Sequence, residues 1–373
     1  MTNLFYAVFI PGLQNLIADV IKERLPDVKI NKLLDGAVLF ETETSYDKLN
    51  FFCFNNIFSV INIMEDQKGV SIKQRFQRTA HGVKVLEKHI ERFINNDGNF
   101  NKEVIVNNSK NFKSFRIVVS NENIPSSIDS QLRVDVEKYI TKLSGLKVNR
   151  SLPDTEFWFL YRNEEGKENS AAGGNFSVFM KRLTLRSSWE KTLHKGELPP
   201  PLAWALCRIA NITHSDTALD PFCGYGSIPQ EALKHFHVTK FLACENDKEA
   251  ALFSAQRFSK KDGFTLYNCD FRELLEKIEE KSIDVIITDP PWGHFGVSEE
   301  QRKEKNEQND FLVKMFDVFK RLLKNGGRAV LLYANDDQLL KAAPSCFKLQ
   351  KEIPILLSGK KAVIFLFKIE YID

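Results

Sequence analysis

From residue 217 onward the chain alternates short apolar runs with segments of helical periodicity. TALDPF precedes a helix from Ile228, KFLACE a helix through Phe258, FTLYNCD the segment FRELLEKIEE, and IDVIITD the segment FLVKMFDVFKRLLK; GRAVLLYA follows. The runs are nearly continuous in apolar residues, as strands buried on both faces require. A parallel sheet with helices on both sides satisfies this pattern, which places the second half in the α/β class. FKLQKEIPILL-SGKK-AVIFLFKIE then predicts an antiparallel hairpin closing a sheet of five parallel strands.

The first half is organised differently. Residues 4–60 predict strand, helix, strand, strand, helix: LFYAVFI, LQNLIADVIKERL, VKINKLL, AVLFET and a Phe-rich segment. Residues 114–185 predict a second α+β unit, with SFRIVVS, a helix RVDVEKYITKLSG ended by Gly145, EFWFLYR and FSVFMKRLTL. The polar stretch at 163–175 reads as a surface loop. KTLHKGELPPP separates this half from the next, and its prolines suit the start of the helix LAWALCRIANI. These signals divide the chain at 1–64, 65–185 and 186–373, in keeping with a length that accommodates two or three domains.

No apolar run is long enough to span a bilayer, and LFYAVFI lacks the basic flank and cleavage site of a secretory signal. A soluble cytoplasmic monomer with no membrane partner is expected. Cys53, Cys207, Cys223, Cys244, Cys269 and Cys346 form no CxxC pair, and the histidines form no HxxxH or HExxH pattern, so thiols buried in a reducing compartment are expected and a metal site is not. Residues 1–195 hold 28 Lys and Arg against 23 Asp and Glu; the remainder holds 24 against 26. Within 68–118 there are eleven basic residues and four acids, the kind of surface a polyphosphate partner requires, although a solvated face has the same composition.

In a doubly wound sheet, ligands sit beyond the carboxyl ends of the strands. The first strand ends in Asp220-Pro221-Phe222-Cys223-Gly224-Tyr225-Gly226, the second in Glu245-Asn246-Asp247, the third in Cys269-Asp270-Phe271 and the fourth in Thr288-Asp289-Pro290-Pro291-Trp292-Gly293. Pro229 stands where a dinucleotide fingerprint has its third glycine, which weakens a pyrophosphate site. Glu245 is placed to accept from two ribose hydroxyls, and Asp270 from an adenine amino group with Phe271 against the ring. An acid at one strand end is more often a turn or helix cap. Acids at successive strand ends point instead to an adenosine site.

DPFCGYG, ACEND, NCDF and TDPPWG, in that order, resemble the class I S-adenosylmethionine-dependent methyltransferases that modify exocyclic amines. The resemblance covers about residues 196–373 and implies a Rossmann-like catalytic domain with S-adenosyl-L-methionine as cofactor. By this resemblance Asp220, Phe222, Gly224, Gly226, Glu245, Asn246, Asp270, Phe271 and Asp289 hold the cofactor, and Asp289, Pro290, Pro291 and Trp292 are catalytic. The family often has Ser after the first glycine and Thr after the second, where this chain has Tyr225 and Ser227.

The delocalised lone pair of an exocyclic amine makes it a poor nucleophile. The Asp289 carboxylate and the Pro290 carbonyl would accept its two hydrogens and favour a pyramidal nitrogen, while Trp292 would stack on the base. A pyrimidine C5 reaction would need a cysteine nucleophile, and 284–300 contains none. His294 is read as an exposed loop residue, without a proton-accepting role.

The stretches PGLQNLIADVIKERL to DGAVLFET, SFRIVVS through GLKVNRSLPDTEFWFLY, and KRLTLRSSWEKTLHKGELPPPLAWAL are similar to the ferredoxin-like leader, the THUMP domain and the linker of THUMP-containing RNA methyltransferases. That resemblance implies tRNA as partner and guanine N2 in the acceptor-stem region as the methylated atom. Ribosomal RNA guanine-N2 or adenine-N6 methylation is the alternative within the family. A non-catalytic RNA-binding protein is a further alternative, against which Asp289 and Glu245 argue.

Overall fold

The structure, a computed structural model, describes residues 2–45, 49, 51–65, 75–107, 111–121, 124–162, 175–183, 193–292, 299–334, 337–357 and 359–371, without the side chains of 75–80 and 299–308. Most of the 163–175 loop, the basic residues Lys68, Lys73 and Lys110, and Gly293 and His294 lie outside the described residues.

The first half builds one sheet, from β1 (Asn3–Val8), β2 (Lys29–Leu34), β3 (Ala37–Thr42), β4 (Asn56–Glu65), β5 (Ser114–Asn121), β6 (Ile124–Pro125), β7 (Lys147–Val148), β8 (Thr155–Arg162) and β9 (Phe176–Arg182). Its order is β2-β3-β1-β4-β9-β8-β5-β6, with β7 alongside β5. Strand β4 corrects the helix expected in the Phe-rich segment before residue 60. Its β-branched and aromatic residues Ile57, Phe58, Val60, Ile61 and Ile63 suit a strand buried on both faces. It pairs with β1 from Phe5↔Ser59 to Val8↔Asn56, and with β9 from Phe58↔Arg182 to Glu65↔Phe176. Tertiary pairing thus overrides the local reading and fuses two small sheets into one.

Helices α1 (Gln14–Arg24), α2 (Arg75–Ile94), α3 (Lys102–Val106) and α4 (Ser130–Ser144) complete this half. The Asp129 carboxylate accepts from Leu132 N to open α4, and Gly145, at φ 73°, closes it. Leu86, Ile90, Phe93, Val136 and Ile140 from the helices bury against Ile117, Val119, Phe157, Phe159 and Phe179 of the sheet. Glu156 is buried between the guanidinium groups of Arg116 and Arg182 and accepts the Trp158 indole N–H at 2.9 Å.

The second half contains α5 (Pro200–Ile209), β10 (Thr217–Asp220), α6 (Ser227–His235), β11 (Lys240–Cys244), α7 (Lys248–Arg257), β12 (Phe264–Tyr267), α8 (Leu274–Lys277), β13 (Ile283–Thr288), α9 (Glu299–Leu322), β14 (Leu323–Ala334), α10 (Gln338–Ala342), β15 (Phe347–Leu357) and β16 (Lys360–Ile369). The sheet order is β12-β11-β10-β13-β14-β16-β15. Strands β10 to β14 pair in parallel and β16 and β15 add antiparallel, the expected arrangement. Because β11 and β13 flank β10, the chain reverses its direction of travel across the sheet there, opening a crevice at the strands' carboxyl ends. FRELLEKIEE is a correction. A shorter helical stretch than the spacing predicts forms there, a 3-10 turn, Phe271–Glu273, running into α8; Asp270 and Glu273 open it in a capping box, and it ends where the backbone turns extended at Ile278.

The two halves share a core. Phe5, Phe9, Ile17 and Ile21 belong to the same buried cluster as Leu202, Leu206, Val330, Ile355 and Ile364. A Cβ on Gly12, at φ 101°, would lie 2.0 Å from the Pro354 carbonyl oxygen, and Leu356 N donates to the Pro11 carbonyl at 3.1 Å. The opposite face of the catalytic sheet is covered by Leu312, Met315, Phe316 and Phe319 of α9.

Candidate active site

A cavity of about 780 Å³ opens at the carboxyl ends of β10 to β13, within the range that encloses a cofactor-sized ligand. Glu245, Asn246, Asp270, Phe271, Asp289 and Trp292 line it, together with Pro221, Phe222, Pro290 and Pro291. A smaller cavity of about 130 Å³ adjoins it through Phe222, Asp289 and Gly196, and is walled by Asp220, Gly224, Tyr225 and Ser227. The fold therefore gathers the predicted residues at one place, except that Gly226 stands behind the wall as the residue preceding α6.

Asp220 ends β10 in full burial; its Oδ1 accepts the Thr288 hydroxyl at 2.6 Å and Phe222 N at 3.2 Å. Burial pushes its carboxyl up to about 7, those two hydrogen bonds oppose the rise, and the charges of Asp289 and Glu245 reinforce it. Gly224 and Gly226 sit at φ 52° and 87°, in the left-handed region. A Cβ on Gly226 would lie 2.6 Å from Phe258 Cε2, whereas one on Gly224 would meet nothing within 4 Å. The loop is thus packed from behind and open toward the small cavity, a cradle that fits the methionine end of S-adenosylmethionine.

Glu245 does more than line the cavity. Its Oε2 accepts Gly224 N at 2.8 Å and its Oε1 accepts Asp247 N at 2.8 Å, so it braces the glycine loop. Asp247 caps α7 by accepting Ala250 N. Asp270 is held by the Arg272 fork, with both N–O distances 2.7 Å, and that bond keeps its carboxyl below the usual range. These caps leave each carboxylate able to accept from a further donor, because each oxygen has a second lone pair. Phe271 is buried, in a cluster with the half-buried rings of Phe222 and Phe311 at centroid separations of 5.1 Å and 5.4 Å.

Asp289 lies at the end of β13, where burial lifts its carboxyl to about 7 against the opposing bond from the Trp292 indole. Pro290 is buried and Pro291 exposed. Among the described residues no group of three or more His, Cys, Asp or Glu is arranged to hold a metal ion.

Sequence reasoning missed three contributors. Phe311 and Lys314 reach the cavity from α9, and their helical spacing carries no signal of it. The third is the linker, whose Gly196 and Glu197 line the cavities. Tyr225, one departure from the family pattern, stacks on His194 of the linker at 4.0 Å and 9°. Ser227, the other, lies 3.4 Å from Glu197 Oε1, which also accepts from Arg257 at 2.9 Å. Both departures therefore face the linker.

Residues 187–353 match the family model described as RMKL-like, methyltransferase domain. The chain is 25% identical over 287 residues to the tRNA (guanine(10)-N2)-dimethyltransferase of Methanocaldococcus jannaschii, covering 73% of this chain and 77% of that one. It is 30% identical over 138 residues to the U6 snRNA (guanine-N(2))-methyltransferase THUMPD2 of Bos taurus, covering 36% of this chain and 25% of that one. The chain resembles the THUMP-containing RNA methyltransferases. The span matched by the methyltransferase model contains all four strand-end motifs. Crystallised TrmN from Thermus thermophilus shares this methyltransferase's fold over 98% of the chain and 99% of its own, with a TM-score of 0.73 at 19% identity.

Proposed function

We propose that this RNA methyltransferase acts on the exocyclic N2 amine of a guanine in tRNA, in the acceptor-stem region. The observation that carries the reading is the Asp289 carboxylate beside Pro290 at the inner edge of the main cavity, next to the predicted adenosine acids Glu245 and Asp270. The names of the relatives, tRNA guanine-N2 enzymes of Methanocaldococcus jannaschii and Thermus thermophilus, support the substrate. S-adenosylmethionine supplies an electrophilic methyl group when bound. Glu245 would meet its ribose and Asp270 its adenine amino group, with Phe222, Phe271 and Phe311 against the ring.

Asp289 and the Pro290 carbonyl would accept the two amine hydrogens of the base. Proline suits that second position because it has no N–H to turn toward the amine. The amine nitrogen would bond to the methyl carbon as the bond from that carbon to sulfur breaks, leaving S-adenosylhomocysteine; the proton lost from nitrogen would pass to water, and a carboxylate acceptor beside the amine favours the positive charge developing there. In the first half, a groove of about 950 Å³ is lined by Lys113, Lys147, Arg150 and Phe112, chemistry suited to an RNA backbone. The 30% identity to the U6 snRNA enzyme supports a second reading, another small structured RNA.

The test is incubation with labelled S-adenosylmethionine and separate pools of tRNA, small nuclear RNA, ribosomal RNA, DNA and protein, followed by nucleoside analysis. N2-methylguanosine in tRNA is expected. Transfer to small nuclear RNA alone would establish the second reading, and transfer to no RNA pool would overturn both. Asp289→Ala should lower transfer on the order of 10²- to 10³-fold with cofactor binding still measurable. Asp270→Ala should mainly weaken the cofactor, and the reverse pattern would exchange the two assignments.

A further inference from the structure

The Trp292 indole makes a contact that stacking on a base does not require. Its Nε1–H donates to Asp289 Oδ1 at 2.7 Å, across the turn formed by the two prolines. The ring is half-buried and packs against the apolar clusters on both faces of the catalytic sheet. Its backbone is reached by the hydroxyl of buried Tyr333, 3.5 Å from the Trp292 carbonyl. On the strand side, the neighbouring residue Thr288 is pinned by its bond to Asp220. The backbone of Asp289 is therefore fixed from both directions, while the torsion that turns a carboxylate is intrinsically broad. A phenylalanine would fill the same space with no donor, and a tyrosine would carry its hydroxyl at the far end of the ring.

We propose that Trp292 is a positioning residue: its indole N–H holds Oδ1 of Asp289 and thereby leaves Oδ2 as the oxygen presented to the base amine. The proposal rests on the reading of Asp289 as the amine acceptor. It accounts for the tryptophan by what its nitrogen does as well as by what its ring covers. A donor aimed at one oxygen also favours the charged form of the carboxylate, the form that can accept. The other titratable groups around the site are Asp220, Glu245, Asp270, Arg272, Asp310 and Lys314.

Two replacements remove the N–H and keep a ring: Trp292→Phe, and 3-benzothienylalanine at position 292, which preserves the bicyclic shape with sulfur in place of N–H. Both should lower kcat about tenfold, the effect of losing one hydrogen bond to a charged group, with KM for RNA changed less than about threefold. In both, the acidic limb of the kcat–pH profile should move to higher pH. Unchanged kcat and pH limb in the benzothienyl protein would overturn the proposal, as would a loss confined to KM. A separate readout needs no turnover: the Trp292 indole ¹⁵N–¹H resonance should titrate with pH in the wild-type protein and cease to do so in Asp289→Asn. An indole signal that follows Asp289 in a protein that methylates no RNA would sustain the contact and refute the substrate reading. An active enzyme whose indole signal ignores Asp289 would refute the contact alone.

Discussion

Asp220→Asn gives a quantitative test of the electrostatics at the first strand end. The wild-type carboxyl is raised from 3.8 to about 7, chiefly by burial, and the Thr288 and Phe222 hydrogen bonds do not outweigh it. A group whose folded value is raised binds more protons in the folded chain than in the unfolded one, so stability falls as pH rises from about 4 to about 7. Applying roughly 1.4 kcal/mol for each pH unit, the penalty is about 2 kcal/mol at pH 5 and about 4 kcal/mol at pH 8. Asparagine carries no charge at either pH, and its side-chain oxygen can still accept from Thr288. The variant's stability relative to wild type should therefore improve by about 2 to 3 kcal/mol between pH 5 and pH 8, an upper figure because water entry and relaxation reduce it. Urea unfolding of both proteins at the two pH values, without cofactor, measures this. A difference that stays constant with pH, or narrows toward pH 8, would show that Asp220 is ionised and well compensated in the folded protein.

Three further outcomes are expected. Because burial raises Asp289 to about 7, methyl transfer should fall as pH drops through neutrality, and a single-turnover pH profile flat down to pH 5 would contradict that. Gly226→Ala places a Cβ 2.6 Å from Phe258 at a left-handed φ, and should destabilise by about 2 to 4 kcal/mol, measured by denaturant midpoint, while weakening the cofactor. Glu156→Ala strips the acid from between Arg116 and Arg182 and should cost about 3 to 5 kcal/mol in equilibrium unfolding, far from the cavity and with little effect on cofactor affinity.

The catalytic sheet was legible because its strands are buried on both faces, and a run such as Ile283-Asp284-Val285-Ile286-Ile287 has few other uses. Its ligand end was legible because glycine, proline and acid punctuate each strand at the same edge. The Phe-rich segment around residue 55 was misread because a strand that pairs on both sides and is bent by a register shift at Val60 and Asn62 loses the alternation that marks strands. FRELLEKIEE has helical spacing throughout, yet the helix that Asp270 opens ends where the backbone turns extended at Ile278, a boundary that periodicity does not register. The partners of Tyr225 and Ser227 were invisible for another reason: His194 and Glu197 lie some thirty residues upstream in a proline-rich linker with no periodicity to read. The Trp292 bond to Asp289 depends on a side-chain rotamer and has no one-dimensional trace.

Gly12 lies against Pro354, and the Pro11 carbonyl accepts from Leu356, so the leader of the first half is built around the hairpin of the second. Modular engineering is constrained accordingly. A chimaera that brings a foreign RNA-binding half to this catalytic half must import the β15 surface that matches its own leader, or leave Ile355 and its neighbours facing water. The unit of exchange is thus the pair of sheets together with their seam, and a linker of any length between residues 183 and 200 would not substitute for that seam.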